Sequence, residues 1–124
     1  MSRETLETLA DRYCAAWNTA DGVERRAILS SVLTDDGLYV DPSVRAVGIE
    51  AFAVHIDGVV ARNPGARISR TGPIDAHHEV LRFTWSNRLA DGTILRAGID
   101  FCTLAADGKF QSIVGFFDPA ASNS

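Results

Sequence analysis

Two cysteines are all the thiol chemistry available in this 124-residue chain. Cys14 and Cys102 lie far apart in apolar surroundings with no Cys-x-x-Cys spacing. Each therefore reads as a small hydrophobe, and neither as a disulfide half, metal ligand or nucleophile. Basic charge is also short. Lys and Arg number 12 against 16 Asp and Glu, and the net charge of -4 is mixed along the chain, so no basic stripe exists for a phosphate backbone. Nucleic acid is not an expected partner. No apolar run approaches the roughly 20 residues that span a bilayer. The opening Met1-Ser2-Arg3-Glu4-Thr5 leads into an amphipathic helix pattern and not a signal peptide, so a soluble, cytoplasmic protein without a membrane partner is expected. Repeats, low-complexity tracts and linkers are missing as well. One domain over 1–124 is expected, with 119–124 as a loose tail.

What is present divides into two halves. Leu6, Leu9, Ala10, Tyr13, Ala16 and Trp17 recur at helical spacing and predict a first helix with Tyr13 facing inward. After a break from Asn18 to Gly22, Val23 to Leu33 reads as a second helix, ended by the turn residues Thr34-Asp35-Asp36-Gly37. Leu38-Tyr39-Val40-Asp41 is a short extended piece stopped by Pro42. Beyond Gly48, Ile49, Phe52, Ala53, Ile56, Val59 and Val60 form the stripe of a third helix, closed by Asn63-Pro64-Gly65. From residue 66 the period changes to that of strands: Leu81, Phe83 and Trp85 alternate with Arg82, Thr84 and Ser86. Asp91-Gly92 and Asp107-Gly108 mark hairpins between strand runs. The expected meander covers 67–75, 77–88, 93–105 and 109–118. Helices first and strands afterwards define an α+β fold, with three N-terminal helices on one face of a curved antiparallel sheet.

Asp100 sits within Gly98-Ile99-Asp100-Phe101-Cys102-Thr103-Leu104, an apolar strand where a carboxylate is costly unless it is paired or keeps its proton. Ionisable groups in such surroundings mark sites of chemistry, although structural ion pairs leave the same signature. Asp100 can neutralise Arg82 or Arg96, or serve as a pocket acid. Asp41 precedes Pro42, where an aspartate also bonds its own neighbouring backbone. Tyr13 reads equally as a core aromatic whose hydroxyl has found a partner. Trp17, Phe52, Trp85, Phe101, Phe116 and Phe117, with Tyr39 and His55, are candidates to line an apolar cavity. His77-His78 is expected to begin a strand, one ring to each face. No His-x-x-x-His or matching carboxylate spacing supports a metal site.

Helical Tyr13, Leu38-Tyr39-Val40-Asp41-Pro42, Gly48 before a helix, Thr71-Gly72-Pro73, and Gly98-Ile99-Asp100-Phe101 ahead of Asp107-Gly108-Lys109 together resemble the nuclear transport factor 2-like superfamily. That group includes SnoaL-like polyketide cyclases and ketosteroid isomerases, and the resemblance runs from about residue 4 to 118. It implies a cone-shaped fold in which helices close a strongly bent sheet around an apolar pocket, commonly as a homodimer through the outer sheet surface. Matched to the ketosteroid isomerases, Tyr13 takes the place of the oxyanion tyrosine, Asp41 that of the catalytic base and Asp100 that of the protonated second aspartate. Trp17, Tyr39, Phe52, His55, Trp85 and Phe117 would hold the substrate. The resemblance thus implies a cofactor-independent isomerase or cyclase acting on a small apolar carbonyl compound, with Asp100 as the main acid/base group in the cyclase variant. The other reading is a non-catalytic protein of the same fold that binds a ligand or partner, with Asp100 in an ion pair. The short segment from Asp41 to Gly48, the doubled histidine and Phe116-Phe117 depart from the steroid-isomerase pattern.

Overall fold

Ser2 begins the first helix: its hydroxyl accepts the Thr5 amide at 3.1 Å and caps α1 (Arg3–Trp17). The computed structural model describes residues 2–119, so the tail expected at 119–124 lies, from residue 120 on, outside the described residues. Asp21 caps α2 (Gly22–Val32) through the Val23 amide, and Gly48, at φ 91°, precedes α3 (Ile49–Arg62). Arg25 of α2 is only 1% exposed. Its guanidinium is satisfied by the Ala16 and Thr19 carbonyls and by Asp57 at 2.5 Å, which ties α2 to the end of α1 and to α3. A buried charge held on all sides in this way fixes how the helices sit.

The strands are β1 (Leu33–Asp41), β2 (Val44–Val47), β3 (Arg67–Arg70), β4 (Asp75–His77), β5 (Val80–Arg88), β6 (Ile94–Leu104) and β7 (Phe110–Phe117). They form one open sheet in the order β2-β1-β7-β6-β5-β3, with β4 beside β5. All neighbours run antiparallel except β1 and β7, which pair in parallel because the first long strand docks beside the last. The three helices cover the concave face, where Tyr13, Trp17, Phe52, Phe83, Phe110 and Ile113 build the core. Gly92 and Gly108, both at positive φ, complete the two Asp-Gly hairpins as expected.

Four local expectations are corrected. Thr34 to Gly37 is not a turn: Leu33 is already extended, β1 starts there, and these four residues occupy the register shift between the Leu33–Phe110 and Leu38–Ser112 pairs. The segment from Asp41 to Gly48 is a hairpin, turned at Pro42-Ser43 and returned by β2. The strand expected at 67–75 is divided, because Gly72-Pro73 cannot continue the ladder, and Asp75–His77 resumes it as β4. His77-His78 does not begin a strand. His77 ends β4 and His78, at φ 54°, turns the chain into β5, so both rings are exposed with their Nδ1 atoms 3.0 Å apart.

Candidate active site

Alternation along the strands carries the polar groups inward. On β5, Trp85 and Asn87 face the concave side while Thr84 faces out; on β6, Asp100 and Cys102 face in while Phe101 faces out. Asp100 pairs with Gly115 of β7, and Asp41 lies at the end of the neighbouring β1. A methyl group on Gly115 would stand 2.9 Å from Asp100 Oδ1 and 3.5 Å from Asp41 Cβ. The glycine is therefore the gap that lets the two aspartates flank one strand. Tyr13 and Trp17 of α1 and His55, Val59 and Arg62 of α3 close the other side, leaving a cavity of about 310 Å³.

Each polar side chain is held differently. Asp41 accepts three hydrogen bonds: the Tyr39 hydroxyl donates to Oδ2 at 2.6 Å, and the Ser43 amide and hydroxyl donate to Oδ1 at 2.7 and 2.6 Å. Tyr39 stacks on Phe52 with ring centroids 4.1 Å apart, which fixes its hydroxyl over Asp41. Asp100, 4% exposed, accepts one hydrogen bond, from Trp85 Nε1 to Oδ1 at 2.9 Å. Burial pushes its carboxyl up to about 7; the Trp85 bond opposes the shift and the Asp41 charge adds to it. Tyr13 accepts the Trp17 indole N–H at 3.0 Å, which leaves its own phenolic proton available to a group in the cavity. Burial and the Asp100 charge keep that phenol protonated. His55 is shifted down, mainly by burial, and is neutral at pH 7.

Tyr13, Asp41 and Asp100 thus meet in one cavity, together with Trp17, Tyr39, His55, Trp85 and Phe117. Phe52 does not line it: fully buried, it supports Tyr39 and Tyr13 from behind. Phe101 and Phe116 are on the opposite face of the sheet, 40% and 56% exposed. Arg82 is also on that face and pairs with Asp75 at 2.9 Å, not with Glu79 or Asp100. The cavity is less apolar than expected, since Ser43, Arg62, Asn63, Asn87 and Arg96 also line it. Alternation of Trp85 with Asn87 and of Arg96 with Asp100 was the available signal for two of these. Cys14 reaches the wall too, with its thiol pushed by burial to about 12 and hence unreactive at neutral pH. Among the described residues, no group of three or more His, Cys, Asp and Glu is placed to hold a metal ion, and no helix is long and apolar enough to cross a membrane.

A bent sheet closed by three helices around a cavity with two aspartates and a tyrosine defines a cone-shaped α+β pocket protein. No family model and no curated protein matches the sequence. Among solved structures, a SnoaL-like family protein from Agrobacterium tumefaciens strain C58 is 32% identical with TM-score 0.84, over 90% of this chain and 95% of that one. The chain belongs to the SnoaL-like family of the nuclear transport factor 2-like superfamily. An NTF2-like protein from Exiguobacterium sp. 255-15 is similar in fold at 21% identity and TM-score 0.70, over 90% and 98% of the two chains. A de novo designed protein with a curved β-sheet also shares the fold, at 14% identity and TM-score 0.73, over 97% and 90%.

Proposed function

We propose that the protein is an acid/base enzyme of isomerase or cyclase type, acting on a small carbonyl compound, with Asp100 as the proton-transfer group. The Agrobacterium relative is described as a candidate isomerase, which agrees with this class. The observation that carries the reading is the environment of Asp100. It is a nearly dry carboxyl with a single hydrogen bond, poised at about 7, facing the same cavity as an uncommitted tyrosine proton. A group that titrates near the working pH is the most effective proton carrier.

In this reaction the Asp100 carboxylate takes a proton from the carbon next to the carbonyl, and the electron pair moves onto the carbonyl oxygen. Tyr13 donates a hydrogen bond to that oxyanion, where charge has developed in a site sheltered from water. Asp100 then returns the proton at another carbon, which completes an isomerisation; in a cyclisation the enolate carbon instead adds to a second carbonyl of the same substrate, whose π electrons move to its oxygen, and Asp100 gives its proton to the alkoxide so formed. Asp41, already engaged by Tyr39 and Ser43, serves as a fixed carboxylate that positions Tyr39 and maintains the charge beside Asp100. A cavity of about 310 Å³ is at the small end of ligand pockets and suits a compact substrate. The non-catalytic reading has less support, because its ion pair between Asp100 and Arg82 does not form.

Deuterium uptake from D2O into a panel of enolisable ketones, followed by proton NMR, tests the proposal. The rate is expected to rise with pH through about 7 and level off as Asp100 ionises. Asp100→Asn should lower it by on the order of a thousandfold, and Tyr13→Phe by on the order of a hundredfold. Unchanged exchange in Asp100→Asn, with loss in Asp41→Asn, would transfer the base role to Asp41. As part of the same proposal, a second copy of the chain covers the outer sheet face around Phe101 and Phe116, whose rings meet edge to face at 5.7 Å.

A further inference from the structure

Four arginines of this chain are withdrawn from full exposure: Arg25, Arg26, Arg70 and Arg96. Three of them hold carboxylates, Arg25 and Arg26 on Asp57 and Arg70 on Asp11. Arg96 has none among the described residues. Its guanidinium lies 4.3 Å from the centroid of the Phe117 ring, on the cavity wall and half-buried. Stacking on a ring face leaves the N–H edge of a guanidinium unused, and that edge matches the two oxygens of a carboxylate.

Two further observations point to the same place. Asn87 is the cross-strand partner of Arg96 in the β5–β6 ladder; it lines the cavity, and its buried Oδ1 has no hydrogen-bond partner. An amide can turn over to offer its NH2 group instead, so guanidinium and amide together make a donor pair. Arg62, in the last turn of α3, also lines the cavity and makes no ion pair among the described residues. The cavity therefore has an acidic interior, with Asp41 and Asp100 8% and 4% exposed, and a cationic rim, in a chain whose net charge is -4. A neutral apolar ligand filling it would leave Arg96 and Asn87 dehydrated and unpaired.

We propose that the substrate carries a carboxylate, bound at the rim by Arg96 with Asn87 beside it and Arg62 contributing attraction. Its carbonyl end is thereby directed inward to Asp100 and Tyr13. This rests on the preceding reading that a carbonyl compound reacts in the cavity, and narrows the substrate from an apolar ketone to a compact carbonyl acid. The aromatic walls hold the body of the molecule, and the charge fixes which end enters first.

Binding of 2-naphthoate and of the isosteric 2-naphthamide to the full chain, read by calorimetry, tests the inference. Naphthoate should bind on the order of tenfold more tightly at low salt, as a charge-assisted hydrogen bond would provide. Arg96→Met should abolish the preference while keeping naphthamide affinity, and Arg96→Lys should restore part of it. In the unaltered protein, added salt should weaken naphthoate alone. Equal binding of the two probes, a preference that survives Arg96→Met, or salt-insensitive naphthoate binding would each overturn the carboxylate assignment and leave the reaction proposal standing. Failure of both probes to bind would remove the ligand pocket, and this inference with it.

Discussion

Burying a carboxyl favours the form that keeps its proton, and Asp100 carries that consequence into the stability of the whole chain. Its folded value of about 7 stands above the ordinary 3.8, so the folded state holds the proton more tightly than the unfolded one. The associated stabilisation is complete below about pH 4 and is lost as pH rises through about 7. The melting temperature should fall across that window. Asp100→Asn keeps an oxygen for Trp85 Nε1, so it should flatten the slope and melt higher than the parent above pH 7, as calorimetry at a series of pH values would register. Asp100 was legible in the sequence because a charge inside an apolar strand contradicts its surroundings. Arg96 and Asn87 were legible only in part: their spacing from Asp100 and Trp85 puts them on the same strand face, but a polar residue there looks the same whether it meets solvent or a cavity. Asp41 was legible by resemblance, but its bonds to Ser43 depend on a hairpin the sequence did not announce.

At the scale of elements, β7 is where the site is built. Gly115 separates Asp41 from Asp100, and a methyl group there would come within 2.9 Å of a carboxylate oxygen already fixed by an indole. Gly115→Ala should therefore displace Asp100, destabilise the fold by about 1–3 kcal/mol as overpacking does, and reduce proton exchange more than this loss of folded protein explains. Circular dichroism melting and the deuterium assay on the same sample separate the two effects. The helices were legible from their apolar stripes, and α3 (Ile49–Arg62) follows Gly48 as the pattern predicts. The strand boundaries were less so. Thr34-Asp35-Asp36-Gly37 has turn composition yet lies within an irregular β1, since pairing with β7 outweighs local preference. The buried Arg25 carried no sequence signal either, because its acceptors come from α1, the loop after it and α3.

At the scale of the whole molecule, the class was legible from the order of elements and a few loose motifs, whereas the parallel join of β1 to β7 was not. The outer sheet face exposes Phe101 and Phe116 at 40% and 56%, more than isolated surface residues warrant. If a second copy covers this face, Phe116→Glu should convert a dimer to a monomer in light scattering while the cavity on the opposite side retains ligand binding; a parent protein that runs as a monomer contradicts this arrangement. A fold does not by itself fix an activity, so the account depends on the electrostatics of the cavity. Its central claim is the protonation state of Asp100. The most direct measurement is a carboxyl-carbon NMR titration, with Asp100→Asn to assign the resonance. The account predicts a midpoint near 7; a midpoint at or below the ordinary 3.8 would mean an ion-paired, structural aspartate and would contradict it.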